Sequence, residues 1–509
     1  MAYPNNVAGF LLAGKDPGRL ALEVGQEKYT YGELRDAAAR VAAYLNELGG
    51  ETGDRVILIS DNSFFWVVAY LAILWTGRVC VPLPPSISSQ DLEYILRVTN
   101  SRLAFLQGGF ALKNAACFRN FHVITPGPLD ALPCTASQRD FAALCKGSHP
   151  VPPPFSLGDV ALAALMFTSG STGTPRGVMV SHENIVANTD SIVEYLTLTE
   201  HDRILAVLPF HYCFGTSLLH THLRVGASLV VEPRFMYPEN ILQKILDSEC
   251  TGFAGVPSHF QILLRSSSLR KKQFPKLRYV QQAGGYLAPS FVRELRDALP
   301  ETKIFIMYGQ TEATARLSYL PPELLDTKVG SVGRGIPGVR LQVLNELGQE
   351  VRPGEVGEIV AEGANVARGY WCAPDETAMA FRDGKLHTGD LATVDSDGFI
   401  FVVDRIKDFL KCGGQRVSCR KLEEQLLECE DLLEAAVVGV PDDVLGEAAK
   451  AFVVFRKSDV DGLKERLLVF CKERMPPQLV PKDIVVLDSL PKNSAGKVLK
   501  PTLKALLAC

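Results

Sequence analysis

The stretch Leu165-Met-Phe-Thr-Ser-Gly-Ser-Thr-Gly-Thr-Pro-Arg-Gly-Val-Met-Val-Ser-His182 determines how the rest of the chain is interpreted. The apolar run 160–167 predicts a buried strand, and a second apolar run, 178–180, follows a polar loop. The loop contains Thr168, Ser169, Gly170, Ser171, Thr172 and Gly173. Because glycines let backbone N–H groups turn inward, and the hydroxyls and the Arg176 cation add donors, such a loop can wrap an anion.

One other interpretation of this loop is open, and a second is excluded. Serine, threonine and glycine are ordinary turn residues, so the segment could be a plain hairpin turn. It is not a Walker-type phosphate loop, because Gly173 and Gly177 have the wrong spacing and no Gly-Lys-Ser/Thr follows.

The segment from Thr168 to Gly177 resembles the phosphate loop of the adenylate-forming superfamily. This superfamily includes acyl- and aryl-CoA ligases, beetle luciferases and the adenylation domains of peptide synthetases. Arg176 stands where the family usually has lysine, which keeps the charge but replaces a point charge with a planar fork. We therefore expect slower or differently salt-sensitive turnover rather than loss of activity.

Composition narrows the function classes. A chain of 509 residues with 47% hydrophobic and 22% charged residues predicts an ordinary globular protein of two or more domains. A net charge of −4 gives no basic surface for nucleic acid or for an anionic membrane. The longest apolar run, 64–75, is too short to span a bilayer, and residues 1–6 lack a signal-peptide pattern, so a cytoplasmic protein is expected.

The twelve cysteines contain no Cys-x-x-Cys pair, which argues against a zinc site or a disulfide framework.

The order of elements predicts an α/β fold. A helical pattern that opens at 29–34 is followed by a strand at 53–59, a helix at 64–75 and a strand at 77–83, which is typical of a parallel sheet flanked by helices. Residues 108–158 are rich in turn formers and predict a connector. The resemblance implies a large N-terminal domain of parallel and mixed sheets (1–404), a hinge (405–408) and a small mobile α+β domain (409–509).

The segment Pro209-Phe-His-Tyr-Cys-Phe-Gly215 follows a predicted strand, where open α/β sheets bind ligands. A lone histidine is usually structural, but the resemblance implies that His211 lines or gates the acyl pocket. Amino-acid-activating relatives place an aspartate in this segment to pair with the substrate's ammonium group. Between Asp202 and Glu232 this chain has no acidic residue, so we expect a carboxylic acid substrate that lacks an α-amine.

A second glycine-containing segment, Gln281-Gln-Ala-Gly-Gly-Tyr286, follows another predicted strand. Gly284 and Gly285 could let adenine or an acyl chain lie against bare backbone, although a simple turn is the alternative. Tyr286 stands where small residues are common in the family, which leaves the depth of the pocket open.

The segment Met307-Tyr-Gly-Gln-Thr-Glu-Ala313 combines a ring, a hydroxyl and a carboxylate, which suits a nucleotide with its metal. The resemblance implies that Tyr308 packs on adenine, that Thr311 contacts the α-phosphate and that Glu312 binds Mg²⁺.

Downstream, Asp390 is predicted to lie in a turn, and the resemblance implies that it accepts hydrogen bonds from both ribose hydroxyls. Arg405 matches the family's ribose-binding arginine. The segments 354–359 and 369–371 resemble structural turns of the family.

The C-terminal part supplies two further motifs. Lys411-Cys-Gly-Gly414 resembles the loop that faces the second substrate, and Lys407 resembles the hinge residue. Leu490-Pro-Lys-Asn-Ser-Ala-Gly-Lys-Val-Leu-Lys500 resembles the catalytic motif, with Lys497 as the catalytic lysine, although three lysines could also form a solvated loop.

The implied reaction is activation of a carboxylic acid by ATP and Mg²⁺, followed by transfer to a thiol, most simply that of CoA. The sequence leaves open a carrier protein's phosphopantetheine as the acceptor and a monomer or a homodimer as the assembly. Remoter alternatives are an amino-acid-activating enzyme and an inactive nucleotide-binding regulator. The identity of the acid is not predicted.

Overall fold

The protein is described here by a computed structural model, in which strands and helices are numbered along the chain. The described residues are 6–129, 137–147, 153–156, 158, 161–169, 174–233, 235–405, 409–412, 415–442, 445–456, 462–492, 496 and 498–506.

The first sheet has seven strands in the order β7-β6-β5-β3-β4-β8-β9. All neighbours are parallel except β8 and β9, which form an antiparallel hairpin. The strands are β3 (Arg55–Ile59), β4 (Val79–Leu83), β5 (Leu103–Leu106), β6 (His122–Thr125), β7 (Ser137–Asp140), β8 (Leu162–Ser169) and β9 (Pro175–Ser181).

The prediction that 108–158 is only a connector is wrong. This region contributes β6 and β7 to the sheet, together with two short helices, Gly108–Lys113 and Phe141–Lys146. The strands are four residues long and β7 is polar, Ser-Gln-Arg-Asp, so neither apolar alternation nor length indicated them.

The second sheet has nine strands in the order β16-β15-β14-β13-β12-β10-β11-β1-β2. Its strands are β1 (Leu20–Val24), β2 (Glu27–Thr30), β10 (Arg203–Ala206), β11 (Ser228–Val231), β12 (Gly252–Gly255), β13 (Tyr279–Gln282), β14 (Lys303–Tyr308), β15 (Ser318–Leu320) and β16 (Arg334–Gly335). The neighbours β10, β12, β13 and β14 are parallel, so the loops that follow them emerge at one edge. The loops after β10, β13 and β14 contain five predicted site residues, His211, Gly284, Gly285, Thr311 and Glu312, and Tyr308 ends β14.

Among the described residues, twelve α-helices accompany these sheets. They are α1 (Val7–Leu12), α2 (Tyr31–Glu47), α3 (Phe64–Trp75), α4 (Ser89–Thr99), α5 (Gly108–Lys113), α6 (Phe141–Lys146), α7 (His182–Leu196), α8 (Cys213–Val225), α9 (Pro238–Asp247), α10 (Pro257–Ser266), α11 (Pro289–Ala298) and α12 (Pro374–Ala380).

The helix starts follow local chemistry. Thr30 and Glu33 form a reciprocal capping box at the start of α2, and Ser63 caps α3. The predicted apolar helix 64–75 coincides with α3, which is buried along almost its whole length in the core shared by the first two sheets.

A third, antiparallel sheet holds the ribose-site candidates. Its path is β17-β18-β20-β19, and β21 pairs with β20. The strands are β17 (Val339–Leu344), β18 (Gly357–Gly363), β19 (Phe381–Arg382), β20 (Lys385–Val394) and β21 (Ile400–Arg405).

The C-terminal part folds around its own five-stranded sheet, with the path β23-β22-β25-β24 and β26 beside β25. Its elements are β22 (Phe409–Cys412), β23 (Gln415–Ser418), α13 (Cys419–Leu427), β24 (Leu432–Asp442), β25 (Gly446–Phe455), α14 (Leu463–Arg474), β26 (Asp483–Val486) and α15 (Lys500–Ala505). The expected α+β character of this part is confirmed.

Among the described residues, no helix combines the length and apolarity needed to cross a bilayer. The ten cysteines within the described ranges are all free, and six of them are buried.

Candidate active site

The predicted phosphate loop connects β8 and β9. In this hairpin Thr168 lies opposite Arg176, so the two residues flank the loop at its base. Gly177 is needed for this close pairing, because an added Cβ would lie 3.0 Å from the Phe167 ring. Ser169 ends β8, whereas Gly170, Ser171, Thr172 and Gly173 lie outside the described residues. A hairpin and an anion-binding loop are therefore compatible interpretations of this stretch.

Arg176 contacts two side chains that follow the third sheet's β18. One guanidinium nitrogen lies 3.1 Å from Oε1 of Glu376, and the guanidinium carbon lies 5.6 Å from the centre of the Tyr370 ring. Within the described part of the chain, the buried Nε of Arg176 has no hydrogen-bond partner. The side chain thus has a donor available for a further acceptor.

Glu312 lies in a single 3-10 turn, Thr311–Ala313, directly after β14. Its Oε1 accepts a hydrogen bond from the Tyr370 hydroxyl at 3.0 Å. Thr311 is buried, and its hydroxyl donates to Sγ of Cys213 at 3.4 Å. The turn therefore presents one half-buried carboxylate beside the phosphate-loop hairpin.

A single carboxylate fits Mg²⁺ when substrate phosphates supply the other oxygens. The described residues contain no group of three or more metal-binding side chains. Mg²⁺ is commonly held by one or two carboxylates together with phosphates and waters, so the donor set at Glu312 matches this mode. The described residues around Glu312 do not match a metal site built from protein ligands alone.

Asp390 is the centre of a second cluster. Its Oδ2 accepts from the Tyr308 hydroxyl at 2.6 Å and its Oδ1 accepts from Nε of Arg405 at 2.9 Å. The predicted turn position of Asp390 is wrong, because the residue lies inside β20 directly opposite Arg405 of β21. Gly389, with φ of +72°, gave the segment its turn-like sequence, but the strand continues through it.

Burial, reinforced by the neighbouring Asp390 carboxylate, raises the pKa of Tyr308 well above its usual value. The hydroxyl therefore remains a donor to Asp390 at neutral pH. The cluster presents a buried carboxylate and a cation on the adjacent strands β20 and β21, and a ring on β14 of the second sheet.

His211 lies in the turn between β10 and α8, as the sequence predicts. Its Nε2 is buried and has no partner among the described residues. Burial lowers the pKa of His211 to about 4, so the imidazole is neutral at pH 7. A neutral ring at this position suits the wall of an apolar pocket.

The two glycines after β13 allow close packing. Gly284 has φ of +81°, and a Cβ there would lie 3.0 Å from Val256 and 3.9 Å from Phe214. A Cβ on Gly285 would lie 3.2 Å from Pro257. The glycine segment thus lies against the start of α10 and the first turn of α8.

Tyr286 faces the C-terminal part of the molecule. The guanidinium carbon of Arg420, on α13, lies 3.3 Å from the centre of its ring. The large side chain of Tyr286 therefore contacts α13. The depth of the proposed acyl pocket then depends on smaller residues such as Gly284.

The C-terminal motif reaches the same region. Gly496 has φ of +80°, and a Cβ there would lie 3.0 Å from Cγ2 of Val256. Val256 thus lies between Gly496 and Gly284. Lys497, the next residue, is outside the described residues, as is Gly414. Lys411 is exposed on β22, where its backbone N–H donates to Glu447 of the small domain.

Sequence reasoning missed two residues of this arrangement, Tyr370 and Glu376. The first was assigned to a structural turn, and the second carries no local signal. The sequence signal that could have pointed to this segment is Gly369, which has φ of +119°.

Comparison with known proteins agrees with this geometry. The AMP-binding enzyme family matches residues 12–371, and the AMP-binding enzyme C-terminal domain matches residues 421–497. The chain is 30% identical to the long-chain-fatty-acid–CoA ligase of Bacillus subtilis strain 168, over 99% of this chain and 95% of that protein.

Solved structures show the same fold. ATP-bound MatB from Rhodopseudomonas palustris superposes with a TM-score of 0.89 at 29% identity and 99% coverage of both chains. The o-succinylbenzoate CoA synthetase MenE of Bacillus subtilis, in complex with the acyl-adenylate intermediate OSB-AMP, gives 0.85 at 28% identity and 98% coverage of both chains. The chain therefore belongs to the AMP-binding enzyme family, and within the adenylate-forming superfamily it is of the acyl-CoA synthetase type.

Proposed function

We propose that the protein activates a carboxylic acid with ATP and transfers the acyl group to the thiol of CoA. In the first step a carboxylate oxygen attacks the α-phosphorus, which forms acyl-AMP and releases pyrophosphate. In the second step the thiol sulfur attacks the acyl carbon, which forms the thioester and releases AMP. The observation that carries this proposal is the cluster of Asp390, Tyr308 and Arg405, in which Tyr308 and Asp390 are 82 residues apart in the chain.

The first cluster serves the nucleoside. Asp390 is buried and accepts one hydrogen bond on each oxygen, and a carboxylate retains further lone pairs for ribose hydroxyls. Arg405 orients this carboxylate from the neighbouring strand, and the ring of Tyr308 offers a face for adenine.

The second cluster serves the phosphates. The loop 168–173 and the free donor of Arg176 hold the departing pyrophosphate, and the Thr311 hydroxyl contacts the α-phosphate. Glu312 would hold Mg²⁺, which would supply neutralising charge at the phosphates. Because two anions must meet in this reaction, fixed positive charge and donors at these positions lower the barrier.

In this proposal the acyl group binds beside His211, Phe214 and the Gly284 segment. The neutral imidazole and the absence of an acidic residue between Asp202 and Glu232 leave no partner for a substrate ammonium. This supports an acid without an α-amine. The named relatives act on a long-chain fatty acid and on o-succinylbenzoate, so similarity alone does not select the chain type.

The small domain alternates between two arrangements in this proposal. The contact of Gly496 with Val256 supports an arrangement in which Lys497 reaches the site and bridges the carboxylate and the α-phosphate. Rotation about residues 405–408 then withdraws Lys497 and brings Lys411 and Gly414 to the incoming thiol. Hinge closure of this kind is a common switching mode. The proposed substrates of the protein, ATP and CoA, suit a cytoplasmic enzyme.

The test is pyrophosphate exchange into ATP across aliphatic, aryl and amino acids, followed by thioester formation with free CoA. Asp390→Asn, for which we expect weaker ATP binding, is measured beside the wild type. Exchange with one acid and formation of its acyl-CoA support the proposal. Exchange without acyl-CoA identifies a carrier protein as the acceptor, and exchange only with an amino acid contradicts the assignment of the acyl pocket.

A further inference from the structure

The segment 367–371 lies between the phosphate-loop hairpin and the Glu312 turn. On one side the Met179 N–H of β9 donates to the Gly369 carbonyl at 2.9 Å. On the other side the Ala367 N–H donates to the Glu312 carbonyl, also at 2.9 Å. Backbone hydrogen bonds thus fix this segment to both phosphate-site elements at once.

The backbone of this segment is also fixed internally. Gly369 has φ of +119°, and a Cβ there would lie 2.4 Å from Cγ2 of Thr377. The hydroxyl of Thr377 accepts from the Tyr370 N–H at 2.9 Å. Only glycine satisfies the backbone and the space at 369, so the direction of the next side chain is set.

The side chain of Tyr370 contacts both predicted phosphate-site groups. Its hydroxyl donates to Oε1 of Glu312 at 3.0 Å, and its ring centre lies 5.6 Å from the guanidinium carbon of Arg176. The residue is 7% exposed. Burial first, and then the Glu312 carboxylate, raise the pKa of Tyr370, so the hydroxyl keeps its proton at neutral pH.

We propose that Tyr370 is a positioning residue that holds Glu312 for the metal and Arg176 for the phosphates. Its hydroxyl donates to Oε1 of Glu312, and the carboxylate held in this way would bind the metal. The guanidinium carbon of Arg176 lies 5.6 Å from the centre of the Tyr370 ring, within the range of a cation–π contact. This inference rests on the proposed function. Carboxylates that bind metals are held by such outer hydrogen bonds, and loss of the partner typically weakens metal affinity or activity by about 10–100-fold.

The ring contact also gives a reason for arginine at 176. A guanidinium can lie flat on an aromatic face while its edge donates to other acceptors, whereas an ammonium is a point charge. The ring of Tyr370 and the fork of Arg176 therefore form a matched pair in this chain.

Two variants separate the two roles of the side chain. Tyr370→Phe removes the hydroxyl and keeps the ring, whereas Tyr370→Leu removes both. Tyr44→Phe is the matched control, because Tyr44 is also 7% exposed and lies on α2, outside the site. ATP binding is measured by calorimetry in EDTA and over a Mg²⁺ titration, beside pyrophosphate exchange at each Mg²⁺ concentration.

We expect Tyr370→Phe to raise the Mg²⁺ concentration for half-maximal ATP binding about tenfold, with ATP affinity in EDTA unchanged. Tyr370→Leu should in addition weaken ATP binding in EDTA by about two- to fivefold, since the cation–π contact is lost. In a Glu312→Gln background, Tyr370→Phe should have no further effect on the Mg²⁺ dependence, because the hydroxyl acts through that carboxylate.

A Mg²⁺ titration of Tyr370→Phe that matches wild type would overturn the inference and leave the residue a packing element. Additive effects of the Glu312 and Tyr370 changes would overturn it as well. If the wild-type protein itself binds no ATP, the proposed function fails, which is distinguishable from failure of this assignment.

Discussion

Replacing Gly496 by alanine should slow adenylation and spare thioester formation. In the arrangement described here Gly496 has φ of +80°, which an L-residue adopts only at a cost, and its new Cβ would lie 3.0 Å from Cγ2 of Val256. The φ cost is the same in both arrangements of the small domain, whereas a methyl group added to a packed contact costs a further ~1–3 kcal/mol only while the contact with Val256 exists. Because this further cost arises where the catalytic motif docks on the large domain, the docked arrangement becomes less populated.

A penalty of this size corresponds to a decrease in the adenylation rate of roughly 5- to 150-fold. The assay is pre-steady-state formation of acyl-AMP, compared with thioester formation from supplied acyl-AMP and CoA. We expect the first rate to fall and the second to remain unchanged, since rotation of the small domain releases the contact with Val256. Val256→Ala in the same chain should restore part of the first rate, because it removes the methyl group that the new Cβ meets.

The matched control is Gly462→Ala. Gly462 has a similar φ of +74° in the same domain, but nothing lies within 4 Å of its would-be Cβ. It should lower thermal stability without a selective effect on adenylation. Equal slowing of both half-reactions by Gly496→Ala would refute the reasoning, as would the same kinetic pattern in the control.

Three further outcomes are expected. Lys497→Ala should raise the adenylation barrier by about 2–4 kcal/mol and leave thioester formation from supplied acyl-AMP intact, and equal loss in both assays would contradict its role. Asp390→Asn should weaken ATP binding by roughly 10- to 150-fold in calorimetry, because hydrogen bonds to a charged acceptor are worth about 1.5–3 kcal/mol each, and unchanged affinity would exclude it from the ribose site. Acid should destabilise the fold, because burial lowers the pKa of five histidines from 6.5 to about 3 or 4. Below about pH 6.5 the unfolded chain therefore binds more protons than the folded chain. The free energy of unfolding falls between about pH 6.5 and 4, by at most about 1.4 kcal/mol per pH unit for each histidine. These histidines are His182, His211, His220, His222 and His259. Thermal unfolding midpoints measured at pH 7.5, 6 and 5 test the prediction, and a midpoint that does not change with pH would contradict it.

Local chemistry made much of the fold predictable. The helix 64–75 is a continuous apolar run after a capping serine, and both features are visible in the sequence. The strands β24 and β25 of the small domain are largely apolar, so their pattern is equally clear, whereas β23 is mostly polar. The strand β7 is short and polar and receives its conformation from its neighbour β6, which no local pattern reports.

The candidate site was predictable where a motif is contiguous. Tyr308, Thr311 and Glu312 come within five residues, so their proximity needs no tertiary structure. The contacts of Tyr370 with Glu312 and of Tyr286 with Arg420 join residues far apart in the chain. Such contacts depend on how sheets and domains pack. From the sequence alone, resemblance assigned Tyr370 to a structural turn and Tyr286 to the wall of the acyl pocket.

The most direct test of the central claim follows the oxygen atoms of the acid. A substrate acid found in the exchange assay is labelled with ¹⁸O in its carboxylate and converted to acyl-CoA in one turnover. Attack of the carboxylate on the α-phosphorus predicts one ¹⁸O atom in the released AMP and none in pyrophosphate. Label in inorganic phosphate, or AMP without label, would contradict the formation of an acyl-adenylate.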